Sequence, residues 1–147
     1  MTLTFTGHDI NPPPVVHLDR VRAEYGDREG AFIHGGGCST DHEPFSDTIS
    51  TVNVWFNPQI QILNGLDVVT EQRVLRHEEQ HHRDFMEIAQ RLHQRLDRAV
   101  RQNQDPQLND RWAWFLYDLK TRANRYHQQT GEGVVVPVSE PDCPRPG

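Results

Sequence analysis

The chain has 147 residues, enough for one domain with a single core, and 35% hydrophobic with 24% charged residues keeps it out of the disordered regime. A formal net charge of −6 argues against nucleic acid as a partner. No apolar run reaches the ~18 residues that a membrane-spanning helix needs. Met1–Ile10 lacks the basic region and apolar core of a signal peptide, which is the pattern of a cytosolic chain, a processed one or a fragment.

Residues 1–47 hold most of the turn formers. Short β-prone runs at Leu3–Phe5, Val15–Leu18 and Ala31–Ile33 are separated by Pro12-Pro13-Pro14 and Gly35-Gly36-Gly37. Thr48–Phe56 is the strongest strand candidate, rich in β-branched and aromatic residues, and Asn57-Pro58 ends it. From about Val69 apolar residues and histidines recur at steps of three and four: Val74, His77, His81, Phe85, Ile88, Leu92, Leu96 and Ala99. That period predicts a helix from about 70 to about 101 with Thr70 as its N-cap. Gln102–Asn109, with Asp105-Pro106, breaks it. A second helix is predicted over roughly Asp110–Gln129, its apolar side formed by Trp112, Phe115, Leu116, Leu119 and Ala123, and Gly131 and Gly133 stop it. Val134–Val136 reads as a possible last strand, and residues 137–147 as a loose proline-rich tail. The order of elements predicts one α+β domain over 1–147. It has a β- and loop-rich part (1–47), a core (48–130) comprising a small sheet, a long helix and a second helix, and the tail.

Chemistry concentrates in His77-Glu78-Glu79-Gln80-His81. Histidines four apart on a helix project from one face, one turn apart, and together grip one metal ion. Glu78, from the same turn, is placed to take a proton from metal-activated water, the HExxH logic of zinc peptidases. Both histidines fall on the apolar stripe, where buried imidazoles need partners, and a shared metal is the simplest one; hydrogen-bonded core histidines are the bland alternative. His82, turned away from His81, reads as a surface residue. Asp84, one turn after His81, reads as the acceptor of a His81 ring N–H, with direct ligation as its alternative role. If the helices pair as an antiparallel hairpin, His77 and His81 lie about twenty residues before the loop, and their level partner lies about twenty after it. His127 fits as third ligand, with an ordinary surface histidine as the alternative reading; Asp118 ranks behind it, and Tyr126 is a candidate oxyanion donor.

Three other patterns carry less. His34-Gly35-Gly36-Gly37 reads as a glycine turn, since no GxSxG elbow accompanies it. Cys38 with His42 shows no cause for a lowered thiol pKa. Glu78-x-x-His81 and Glu79-x-x-His82 match half of a di-iron bundle, but the other glutamate-bearing helices are missing. Cys38 and Cys143 form one disulfide in an exported protein or stay two thiols in a cytosolic one.

The stretch Arg76–Leu96 resembles the active helix of a family of small, predicted secreted zinc-dependent bacterial proteases. Their motif reads HEQGH with an aspartate soon after. Tyr117-Asp118-Leu119-Lys120-Thr121 looks like that family's YDxxT segment, and the β-rich run Thr48–Phe56 is similar too. The likeness covers roughly residues 48–130. Gln80 stands where glycine is usual, Asp84 falls one position late, and Arg122-Ala123-Asn124 replaces x-His-Gly, so His127 rests on the hairpin geometry alone.

The resemblance implies a zincin-like minimal fold, Zn2+, peptide or protein substrates and a secreted or periplasmic location. The resulting expectation is a zinc metalloprotease with His77, His81 and His127 as ligands and Glu78 as general base. Thr48–Phe56 would offer an edge for an extended substrate. The rival expectations are a metal-binding or interaction module without catalysis, a toxin-like protease effector cut from a longer chain, and a structural domain with satisfied core histidines.

Overall fold

A computed structural model describes residues 1–21 and 28–147. Six strands precede two helices: β1 (Thr2–Thr6), β2 (Val15–Leu18), β3 (Gly30–Ile33), β4 (Gly37–His42), β5 (Ile49–Trp55), β6 (Gln59–Leu63), α1 (Val68–Arg101) and α2 (Leu108–Thr130). The class is α+β. The strands form two three-stranded sheets, ordered β1-β5-β4 and β2-β6-β3. Each central strand has one parallel neighbour (β1, β2) and one antiparallel neighbour (β4, β3).

Period-two alternation in β5 sends Val52 and Val54 to one side, where they are 0% and 1% exposed. They pack with Phe56 against Phe85, Ile88, Leu92 and Leu96 of α1 and against Leu108 and Phe115 of the α2 segment. A second, smaller cluster joins Ile60 and Ile62 of β6 to Val74 near the start of α1. A helix of 34 residues is about 50 Å long, so α1 spans both sheets and pairs with α2 as well.

Several expectations change at this level. Thr48–Phe56 is a strand, but β5 is the centre of its sheet, flanked by β1 and β4, so it offers no edge. Thr70 is not the N-cap. Asp67 is, and its carboxylate accepts from the Thr70 backbone N–H at 2.9 Å and from the Thr70 hydroxyl at 2.8 Å. His82 is buried, 2% exposed, and its Nε2 donates to the Ile10 carbonyl at 2.9 Å. The single-stripe reading failed there because α1 is covered on two sides.

Val134–Val136 is not a strand. The side chain of Asn124 takes its backbone groups, with Nδ2 donating to Val136 O (2.7 Å) and Oδ1 accepting from Val136 N–H (3.1 Å). Residues 137–147 have no regular secondary structure, yet they are tied to α2. Trp114 Nε1 donates to Cys143 O, and Arg145 forks onto Asp118. Among the described residues no helix is long and apolar enough to cross a membrane.

Candidate metal centre

Successive helical residues point about 100° apart, which splits the HExxH segment between two faces of α1. Glu78, His82 and Phe85 face the sheets. A Cβ built on Gly30 of β3 would stand 3.3 Å from Glu78 Cγ, and Phe32 meets the His82 ring. His77 and His81 face α2 instead, and His127 reaches them from it.

The three imidazoles converge on one point. Their Nε2 atoms are separated by 3.1 Å (His77–His81), 3.3 Å (His77–His127) and 3.0 Å (His81–His127). A tetrahedral ion with metal–nitrogen bonds of roughly 2.0–2.1 Å has ligand–ligand edges of about 3.3 Å. The cluster therefore matches three vertices of such a site, and these residues lie close enough to bind a metal ion. His77 and His127 are 2% and 3% exposed, and His81 is half-buried.

The far side of two rings fixes their proton. His77 Nδ1 lies 3.1 Å from Glu132 Oε2, and His127 Nδ1 lies 3.1 Å from Val134 O. A carboxylate and a carbonyl only accept, so both Nδ1 atoms donate. The Nε2 atoms of His77 and His127 thus face each other and His81. Nitrogen lone pairs this close repel unless a hydrogen bond or a positive centre lies among them, and a cation held by all three would supply one. Outer-side acceptors of this kind orient metal-binding histidines generally. Burial, reinforced by the His77 and His127 rings, pushes the His81 imidazole down to about 3, so it stays neutral and available as a ligand at ordinary pH.

The chain after α2 builds the outer wall. Gly131 caps the helix in the left-handed region (φ 69°), its N–H returning to His127 O. The backbone then folds back over the imidazoles. Gly133 (φ 82°) passes so near that an added Cβ would meet His127 Cε1 at 2.7 Å. Arg73 holds Glu132 from the other side at 3.8 Å, and Arg73 in turn pairs with Glu29 at 3.1 Å. Glu132 was absent from the sequence reading, which took Gly133 only as a helix stop and Val134 only as part of a strand. The Gly-Glu-Gly break one turn after His127 is the signal that pointed to them.

The other candidates fall elsewhere. Asp84 does not receive a His81 N–H, because its Oδ1 accepts from Gln80 Nε2 at 3.1 Å and Arg122 Nη1 at 3.3 Å. Asp118 is about 13 Å along α2 from His127 and is engaged by both Nη atoms of Arg145, each at 2.9 Å. Tyr126 stacks beside the cluster, its ring 5.0 Å from that of His77 and 5.4 Å from that of His81. Burial first, then the Glu132 charge, raises the Tyr126 phenol, which keeps it an O–H donor.

Cys38 and Cys143 are both free thiols. Burial raises the Cys38 thiol, and Cys38 and His42 sit at opposite ends of β4, so they form no nucleophile pair. His34-Gly35-Gly36 is the irregular link between β3 and β4, with Gly36 N–H donating to His34 Nδ1 at 2.9 Å. Comparison with protein-family models, curated proteins and solved structures finds no match to the chain.

Proposed function

We propose that this domain is a zinc-dependent peptidase with a zincin-like active helix, His77, His81 and His127 holding the metal. One observation carries the reading: three Nε2 atoms stand 3.0–3.3 Å apart while Glu132 and Val134 O hold the Nδ1 protons of two of the rings outward. An all-imidazole set suits zinc among the common ions. Three protein ligands also leave a tetrahedral ion one position free, the pattern of catalytic rather than structural zinc. Zinc bound there supplies a Lewis acid and lowers the pKa of water.

The chain's own residues do the rest. Glu78, next to His77, takes the proton from the attacking water and returns it to the leaving amine. The Tyr126 O–H is a donor for charge developing on the carbonyl oxygen. β3 lies at the edge of its sheet, and its Gly30 packs on Glu78, so a peptide adding along β3 runs beside the general base. Peptides or proteins are the substrate class.

A second reading is favoured by one fact. Glu78 is only 2% exposed, which suits a carboxylate locked into the fold of a metal-binding module without catalysis.

Metal content by mass spectrometry on tag-free protein, beside His77→Ala, tests the site: about one metal per chain is expected, lost in the variant. Cleavage of a peptide library by zinc-loaded protein then tests the chemistry. Glu78→Gln should keep the metal and lose turnover. Undiminished proteolysis in that variant sinks the mechanism, and stoichiometric metal with no cleavage at all selects the second reading.

A further inference from the structure

Away from the histidines, the second half of α1, α2 from Arg111 to Arg125 and the segment at Arg145-Pro146 enclose a cavity of about 330 Å3. Leu92, Trp114 and Phe115 give it an apolar floor. Its walls hold six arginines and a single carboxylate, Asp118, in a chain whose net charge is −6.

Three of the arginines are already satisfied. Arg145 grips Asp118 and lies 4.2 Å over the Trp114 ring, Arg122 pairs with Asp84 and Glu87, and Arg91 pairs with Glu87. Arg95, Arg111 and Arg125 have no Asp or Glu side chain within ion-pair distance among the described residues.

Arg111 is the most telling of these. It is 8% exposed, its Nε donates to Pro106 O at 2.9 Å and its Nη2 to Gly147 O at 3.1 Å, and its buried Nη1 has no partner. A buried guanidinium with one donor unmet costs free energy that an anion nearby would offset. Burial and the neighbouring charges of Arg95 and Arg98 act against its cation as well.

We infer that this cavity binds a small phosphate-bearing ligand. A lone carboxylate offers two oxygens, too few for Arg95, Arg125 and the unmet donor of Arg111 together. A phosphate offers three or more in a tetrahedral array and accepts forks from several arginines at once. The volume lies at the small end of ligand pockets, which fits a metabolite-sized molecule with an apolar portion resting on Trp114 and Phe115. The site is independent of the peptidase reading.

The test is thermal unfolding of the metal-free full chain, titrated with inorganic phosphate at constant ionic strength and compared with citrate. A saturable rise in Tm with phosphate is expected, larger than that with citrate. Arg95→Gln and Arg125→Gln should each weaken the apparent affinity about tenfold, the loss of one charge-assisted bond, and His81→Ala should leave it unchanged. Arg111→Gln should abolish the effect, but Arg111 also holds Pro106 and Gly147, so the other two arginines decide. The proposal is overturned if phosphate does no more than sodium chloride, or if its effect survives both substitutions. It is overturned equally if the effect disappears in His81→Ala, or if citrate stabilises as strongly as phosphate.

Discussion

The two ends of the α1–α2 pair bury side chains of opposite kinds. Toward the interhelical loop the interior is Leu92, Leu96, Ala99, Leu108 and Phe115; at the far end it is His77, Glu78 and His127. Both ends are almost fully removed from water. Apolar burial stabilises whatever the solution contains, in proportion to the area hidden. Polar burial stabilises only while each group has its partner, so the histidine end depends on Glu132, on Val134 O and on whatever cation or proton lies among the Nε2 atoms. One end of the hairpin is an unconditional anchor, and the other responds to conditions.

Phe85 lies between the ends, is 0% exposed and touches Phe56, Phe115 and the His34 ring. Phe85→Ala should produce the largest loss, about 3–5 kcal/mol in urea unfolding, with or without zinc. A loss that zinc reverses would mean the apolar end is not independent of the metal.

Acidification should weaken the histidine end. In the metal-free chain His81 is pushed from 6.5 to about 3, so the unfolded chain takes up this proton first. The stability His81 confers is complete above about 6.5 and drains away as pH falls toward about 3. His81→Leu, followed by the same denaturant titration across pH, should flatten that slope; an unchanged slope assigns the titration elsewhere.

A smaller effect is expected from Glu132→Ala, which removes the acceptor behind His77 without touching a ligand. Metal affinity measured by chelator competition should fall about tenfold, and urea stability of the metal-free chain should fall by about 1 kcal/mol, because the buried His77 Nδ1–H loses its acceptor. The smallest expected effect is at Asp97→Asn, which breaks an exposed pair with Arg101 (3.0 Å). A change below about 0.5 kcal/mol calibrates what a surface contact contributes, and a larger one would show that the loop end also relies on charge.

Legibility followed the range of the interaction. Both helices were visible because a period of 3.6 is written along the chain, and their observed limits, Val68–Arg101 and Leu108–Thr130, lie within about two residues of the expected ones. β4 (Gly37–His42) carries Ser39, Thr40 and Asp41 on an edge, with no apolar alternation to announce it, and β6 (Gln59–Leu63) follows Asn57-Pro58, which read as an end. The meeting of His127 with His77 and His81 was reachable by counting, because an antiparallel hairpin makes distance from the loop a measure of height. The burial of His82 was not, because it depends on Ile10 and Phe32, far away in sequence.

By itself, then, the sequence determined the long helix, the HExxH placement upon it, the hairpin partner and the α+β order, since each follows from local periodicity and chain length. Only the tertiary structure decided that β5 is central rather than an edge, and that Asp84 serves Arg122 instead of His81. It alone also decided that Glu132 and Val134 fold back behind the imidazoles and that Arg111 is buried with one donor unmet. These are meetings between segments with no shared local pattern, and the cost or gain of a buried polar group is set by the partner it meets, not by the residue alone.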